Sequence, residues 1–232
     1  MAAQYQGLEG VIARTRTARL AKRFVASVIS FCVKKPLGAA GLAIILVMGL
    51  MAIFAPVVAT HSSTRMDFAA QLHGPSFSHW LGTDDFGRDL WSRMVWGARA
   101  SLYVGFLSVA LGSVSGALLG LSSAFYGGKV DQVVQRVMDA LMAIPTLILA
   151  LTIIAALGQS ITNVVIAVAI PQIPRANRVV RSQALSVKQS EFTMAARSIG
   201  ATDIRVMVWH MLPQCVAPWL IIASAGLGTA II

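Results

Sequence analysis

EFTMAARSIGATDIRVMVWHMLP, residues Glu191 to Pro213, is a polar, amphipathic stretch set between two apolar ones. Phe192, Ala195, Ala196 and Ile199 stand at i, i+3, i+4 and i+7, the spacing of one helix face. Ser190 suits the N-cap of this helix, and Glu191 places a negative charge at the positive end of its dipole. Gly200 can adopt the left-handed conformation that ends it. Thr202 then caps a second helix, with Asp203 in its first turn and Ile204, Met207, Val208 and Met211 on its apolar face. Pro213 is expected to end that second helix. The reading is two short helices turned sharply at Gly200, with alanines slim enough to enter a groove on another protein.

Such a segment belongs to a chain that leaves and re-enters a membrane. The 232 residues are 56% hydrophobic and 12% charged, about half the charge of an ordinary soluble domain, with a mean hydropathy of +0.73. Leu37–Ala59 is the first expected span, about 35 Å long as a helix and read as a spanning anchor rather than a cleavable signal. Leu102–Phe125, Val137–Leu157 (kinked by Pro145), Ile161–Ile173 (ending at Pro171 and Pro174) and Cys215–Ile232 follow. In the second span Ser108, Gly112, Gly116, Gly120 and Ala124 recur every fourth residue, a groove of small residues into which another helix can pack. Five spans are therefore expected. Because the sequence stops within an apolar run, at least one more is expected beyond Ile232.

Charge orients the spans. Residues 1–36 form a basic segment carrying Arg14, Arg16, Arg19, Lys22, Arg23, Lys34 and Lys35, expected to lie on the cytoplasmic leaflet. Residues 175–213 carry Arg175, Arg178, Arg181, Lys188, Arg197 and Arg205. The positive-inside rule places both in the cytoplasm, which requires an even number of spans between them. Four fit. The loop at 60–98 sets Arg65, Arg88 and Arg93 against Asp67, Asp84, Asp85 and Asp89, a balance that suits the outside. The net charge of +10 thus marks topology; nothing reads as a nucleic-acid-binding motif.

Ala195-Ala196, Gly200 and Leu212-Pro213 resemble the cytoplasmic coupling loop of ABC importer permeases: Glu-Ala-Ala, three residues, Gly, nine residues, Ile, any residue, Leu-Pro. Met194 stands in place of the first Glu and His210 in place of Ile, with Glu191 one turn earlier. HWLGTDDFGRDLWSRMVWGARASL, His79 to Leu102, is similar to the external segment of one branch, the second permease subunit of peptide, glutathione, nickel and opine importers. Gly82, Thr83, Asp84, Gly87, Arg88 and Asp89 carry that likeness, with YGGKVDQVVQRVMDALMAIP, Tyr126 to Pro145. The resemblance implies an all-α transmembrane bundle of the type I ABC importer permease fold, in a bacterial cytoplasmic (inner) membrane with the N-terminus cytoplasmic. It implies pairing with a second permease, two cytosolic ABC ATPase subunits and an extracytoplasmic substrate-binding protein. ATP and Mg would sit on the ATPases, with no cofactor on this chain. Short peptides are the expected cargo; nickel, glutathione and opines are the alternatives. Glu191, Met194, Ala195, Ala196, Gly200, Leu212 and Pro213 would couple to an ATPase.

Other chemistries fit poorly. SSAFYGGKV is the nearest approach to a phosphate-binding loop and fails, with Ser123 for the first Gly and Val130 after Lys129. His61, His73 and His79 match no usual metal-ligand spacing, so no metal site is expected, and Asp84, Asp85 and Asp89 read as turn and cap residues. Cys32 and Cys215 lie far apart on the expected cytoplasmic side, and no catalytic residue is assigned. A stand-alone secondary transporter is the reading from another class, and the lack of charge deep in the spans counts against it.

Overall fold

A computed structural model describes residue 30 and residues 32–231; most of the basic N-terminal segment expected over 1–36 lies outside the described residues. The described chain is helical, with one isolated bridge between Thr83 and Asp89. The described residues divide into two compact units, one up to residue 99 and one from residue 100.

In the first unit, α1 (Pro36–Ile53) is followed by a one-turn α2 (Ala55–Val58). The break at Phe54 follows from Pro56, which has no N–H to donate and whose ring collides with the carbonyl one turn back. The expected first span is thus a helix with a bent end. Most side chains of α1 are exposed, the condition of a helix solvated by lipid. The expected loop at 60–98 is shorter than the charge pattern suggests, because α3 (Leu90–Tyr126) starts directly after Asp89. Its 37 residues reach about 55 Å, well beyond a hydrocarbon core of about 30 Å.

In the second unit α4 (Gly128–Ala143), α5 (Thr146–Leu157), α6 (Ile161–Ala169), α7 (Gln172–Lys188), α8 (Glu191–Ser198) and α9 (Asp203–Arg205) lead into α10 (Leu212–Ile231). Pro145 does more than kink the expected third span. Ile144 and Pro145 are both extended, as the residue before a proline prefers, and α4 and α5 meet at 95°. α6 ends at Ala169, just before Pro171, but the chain does not turn away: Ile170 and Pro171 keep right-handed helical dihedrals, and Pro174 sits in the first turn of α7, where a missing N–H costs little. The expected fourth span is therefore shared between α6 and the start of α7. Among the described residues three helices, Pro36–Ile53, Leu90–Tyr126 and Asp203–Ile231, are long and apolar enough to cross a membrane, and the pair α4–α5, bent by 95°, has the length and composition of a broken span or a re-entrant loop. Both described cysteines are free.

The small-residue stripe sets the packing. Ser108 Oγ donates to Val165 O at 3.0 Å. A Cβ on Gly112 would meet Ala169 O at 2.3 Å, one on Gly116 Ile173 O at 2.3 Å, and one on Gly120 Asn177 O at 2.5 Å. Every fourth residue of α3 thus lies on every fourth residue of α6–α7, so the two rods run parallel with backbones nearly touching. Lys188 continues the seam, its Nζ donating to Ala124 O at 3.0 Å and Phe125 O at 2.6 Å, carbonyls at the negative end of α3. On its other side α7 takes a polar strap from α4: Asp131 accepts two bonds from the Arg181 guanidinium (Nε at 2.6 Å), Gln135 donates to Asn177 at 3.1 Å, and Asp139 accepts from Arg178 at 2.8 Å.

Because backbone carbonyls line this seam, even one methyl group should be felt. Gly116→Ala is expected to destabilise the fold by about 1–3 kcal/mol, whereas Gly228→Ala, at a helical glycine with open space around it, should be neutral or stabilising. Thermal melts of the two variants in the same detergent check this; equal melting temperatures would mean that the helices part without cost.

Candidate functional site

The segment after α7 folds as a capped hook. Gly200 has φ +81, with Gly200 N–H donating to Arg197 O at 2.9 Å and Ala201 N–H to Ala196 O at 3.1 Å. That bond pair is the Schellman C-cap, and it closes α8 where the sequence places the stop. Ser190 stands at the N-cap, but its hydroxyl does not cap: Oγ donates back to Val187 O at 2.6 Å and lies 3.0 Å from Thr193 Oγ1. Thr202 likewise makes no side-chain cap.

Burial divides the expected apolar faces. Of Phe192, Ala195, Ala196 and Ile199 only Ala196 is buried; its companion on the inner face is Thr193, fully buried, which an apolar pattern could not single out. Glu191, Phe192, Met194, Ala195 and Ile199 are all exposed. In the second helix Val206 and Met211 are buried, five residues apart, while Ile204 and Val208 are exposed. That spacing belongs to a π-helical turn over Val206–Met211, in which Leu212 N–H donates to Met207 O. The wider turn carries the chain past Pro213, so the proline does not end the helix, and the path from Asp203 to Ile231 forms one long rod. Leu212 is half-buried and Pro213 exposed.

The hook is fastened to the rest of its unit through Phe125, the penultimate residue of α3. The Phe125 ring is buried, with the Arg197 guanidinium 4.8 Å and the Lys188 ammonium 6.0 Å from its centroid. Ala196, Val206, Met211 and Cys215 join Leu121, Ala124 and Phe125 in one cluster with Val180, Ala184 and Val187 of α7. Sequence reasoning missed the joining of Lys188 and Arg197 to Phe125, because partners more than sixty residues apart leave no local periodic signal, and it missed Thr193 because its partner Ser190 is polar.

In the first unit, the residues Gly82 to Asp89 build a knot. Gly82 (φ +77) and Gly87 (φ +69) are left-handed, and a Cβ on Gly87 would lie 1.7 Å from Asp67 O, so both positions require glycine. Thr83 Oγ1 accepts the His73 N–H at 2.9 Å and donates to Ala70 O. Asp84 accepts the N–H groups of Phe86 and Arg88, each at 2.9 Å, and pairs with Arg88 and Arg93. Partial desolvation would raise the Asp84 carboxyl, but the backbone N–H groups of Arg88 and Phe86 and the Arg88 guanidinium outweigh it and hold the pKa at about 2. Asp89 is buried and caps α3, Oδ2 accepting the Ser92 N–H at 2.8 Å, while Oδ1 lies 3.0 Å from His79 Nδ1. Burial pushes its carboxyl up, and the Ser92 and His79 hydrogen bonds bring it below the usual range.

The binding-protein-dependent transport system inner membrane component model matches residues 116–232, half of the chain, and includes the hook. The chain belongs to this family. The N-terminal transmembrane domain of oligopeptide transport permease C matches residues 32–75. Similar relatives include the dipeptide transport system permease protein DppC of Alkalihalophilus pseudofirmus, 43% identical over 86% of this chain and 66% of the relative. The probable D,D-dipeptide transport system permease protein DdpC of Escherichia coli is 41% identical over 85% and 66%. The glutathione transport system permease protein GsiD of Shigella dysenteriae is 41% identical over 81% and 62%. The chain spans just under two thirds of the length of these relatives.

The family's match therefore covers the small-residue seam from Gly116 onward and the whole hook, while the knot at Gly82–Asp89 lies outside both matched stretches. The carboxylates of that knot give it an acid limit. Their folded pKa values lie below the unfolded value of about 3.9. The stability they contribute is thus complete above about pH 4 and lost as pH falls toward 2. Limited acid proteolysis of the purified protein should leave residues 65–89 intact at pH 4 and cut them as pH approaches 2, and Asp84→Asn should be cut already at neutral pH.

Proposed function

We propose that the chain is a permease subunit of an ATP-driven importer, one half of a pathway for short peptides delivered by an extracytoplasmic binding protein. The observation that carries this reading is the hook. Its inner face, Thr193 and Ala196, is locked into the unit, while Phe192, Met194 and Ile199 are held out, a short rigid helix shaped for a partner's groove. The partners are a second permease and two cytosolic ABC ATPases. ATP and Mg are bound there, and this chain performs no covalent chemistry. The hook lies in the cytoplasm with the N-terminus, and the 60–89 loop faces the binding protein. Peptide cargo is favoured over glutathione because the dipeptide permeases match at equal or higher identity over more of the chain.

In this mechanism closure of the ATPases pushes on α8. The Arg197–Phe125–Lys188 contact carries the push to the ends of α3 and α7, and the rod from Asp203 carries it to α10. Met194, exposed where the resembling motif has Glu, gives the interface an apolar contact in place of an ion pair.

Two measurements test the proposal. Tagged protein in mild detergent should bring down an ATPase and a second permease, identified by mass spectrometry; a stable chain recovered alone would overturn it. Gly200→Val forces a β-branched residue into a left-handed position at a cost of ~1–2 kcal/mol, so peptide uptake in vesicles should fall at least about tenfold while membrane insertion and ATP hydrolysis persist. Uptake equal to wild type would remove the hook from the mechanism.

A further inference from the structure

The three histidines near the first span were too irregularly spaced to suggest a ligand set, yet the fold selects two of them. His61, just after α2, and His79, in the loop, come together with Asp89, the cap of α3, and one ligand atom from each lies within 4.8 Å of the others. The two imidazole rings stand 4.6 Å apart at 32°, and Asp89 Oδ1 is 3.0 Å from His79 Nδ1. A cavity of about 440 Å³ opens over them, completed by Ser62, Arg65, Asp67 and Gly87. We propose that His61, His79 and Asp89 bind a divalent transition-metal ion that ties three separated segments of the 60–89 loop together.

The chemistry of the set names the class. Two imidazoles and one carboxylate suit zinc and its first-row neighbours and do not suit calcium or magnesium, which take oxygen ligands. Ligand atoms around zinc at 2.0–2.1 Å stand about 3.4 Å apart, so the cluster closes with small side-chain rotations. Each ligand's backbone is already fixed. Ser92 Oγ accepts the His61 N–H at 2.9 Å, Ser76 Oγ accepts the His79 N–H at 3.1 Å, and Asp89 is held by the Ser92 N–H. A backbone already fixed lowers the ordering cost of bringing the three side chains onto one ion. Arg65 and Asp67 bring opposite charges to the cavity wall, so the net field there is left to the Asp89 carboxylate. The cavity leaves room for water, or for a group from a partner, in the remaining positions. His73 is engaged elsewhere through its backbone and is not one of the three.

The test uses the full chain in detergent, carrying a tag without histidines. Zn²⁺ titrated by calorimetry should bind at one equivalent, and Co²⁺ in its place should give visible ligand-field bands. His61→Ala and His79→Ala should each weaken Zn²⁺ binding by at least about 10–100-fold, the loss seen even for outer partners of a metal site, while His73→Ala leaves it unchanged. A measurement without variants accompanies it: Zn²⁺ should protect His61 and His79, but not His73, from acylation by diethylpyrocarbonate mapped by mass spectrometry. Absence of saturable binding, equal affinity in the His61→Ala and His79→Ala variants, or equal protection of all three histidines would overturn the site and leave a hydrogen-bonded His79–Asp89 pair.

Discussion

The near contact of two backbones along Gly112, Gly116 and Gly120 governs the second unit. In hydrocarbon, apolar side chains gain little by packing on one another rather than on lipid, so close van der Waals approach and hydrogen bonds must hold helices together. Removing the side chains from every fourth residue of α3 lets the carbonyls of Ala169, Ile173 and Asn177 come within the space a methyl group would fill. With α7 fixed at that distance, its other flank can receive the polar strap from α4, and its end can place Lys188 on the terminal carbonyls of α3. The hook comes next in sequence and inherits a rigid base.

That order explains why the hook can hold an apolar face away from its own unit. An eight-residue helix is too short to be stable alone. Here it is stapled at its C-terminal end, by the Schellman turn at Gly200 and by the Arg197 guanidinium over Phe125. With Arg197 itself exposed, a cation over an aromatic ring is worth about 0.5–1 kcal/mol. Those interactions spend none of the outer face, which leaves Phe192, Met194 and Ile199 free to meet a partner.

Much of this was legible in the sequence, and the illegible parts share a cause. The all-helical class, the first two spans, the small-residue groove and the Gly200 turn rest on local signals: apolar length, a four-residue repeat and a glycine at a helix end. The prolines were misjudged because their effect depends on surroundings. Pro145 breaks a helix, Pro174 sits harmlessly in a first turn, and Pro213 is absorbed by a π-helical turn that buries Val206 together with the expected Met211 and leaves Val208 exposed. The inner face of α8 was not legible for a related reason. Thr193 is buried because Ser190 satisfies its hydroxyl, a pairing that hydrophobic periodicity does not register.

The loop carries the same lesson from the opposite direction. Asp84 and Asp89 were read as turn and cap residues, and the geometry gives them those roles through the N–H groups of Phe86, Arg88 and Ser92. Yet a carboxylate has two oxygens, and a cap uses one. Asp89 caps α3 through Oδ2 and turns Oδ1 toward His79, so the residue that starts the long helix also faces the cluster beneath the cavity. A ligand drawn to that cluster would therefore act on the first turn of α3.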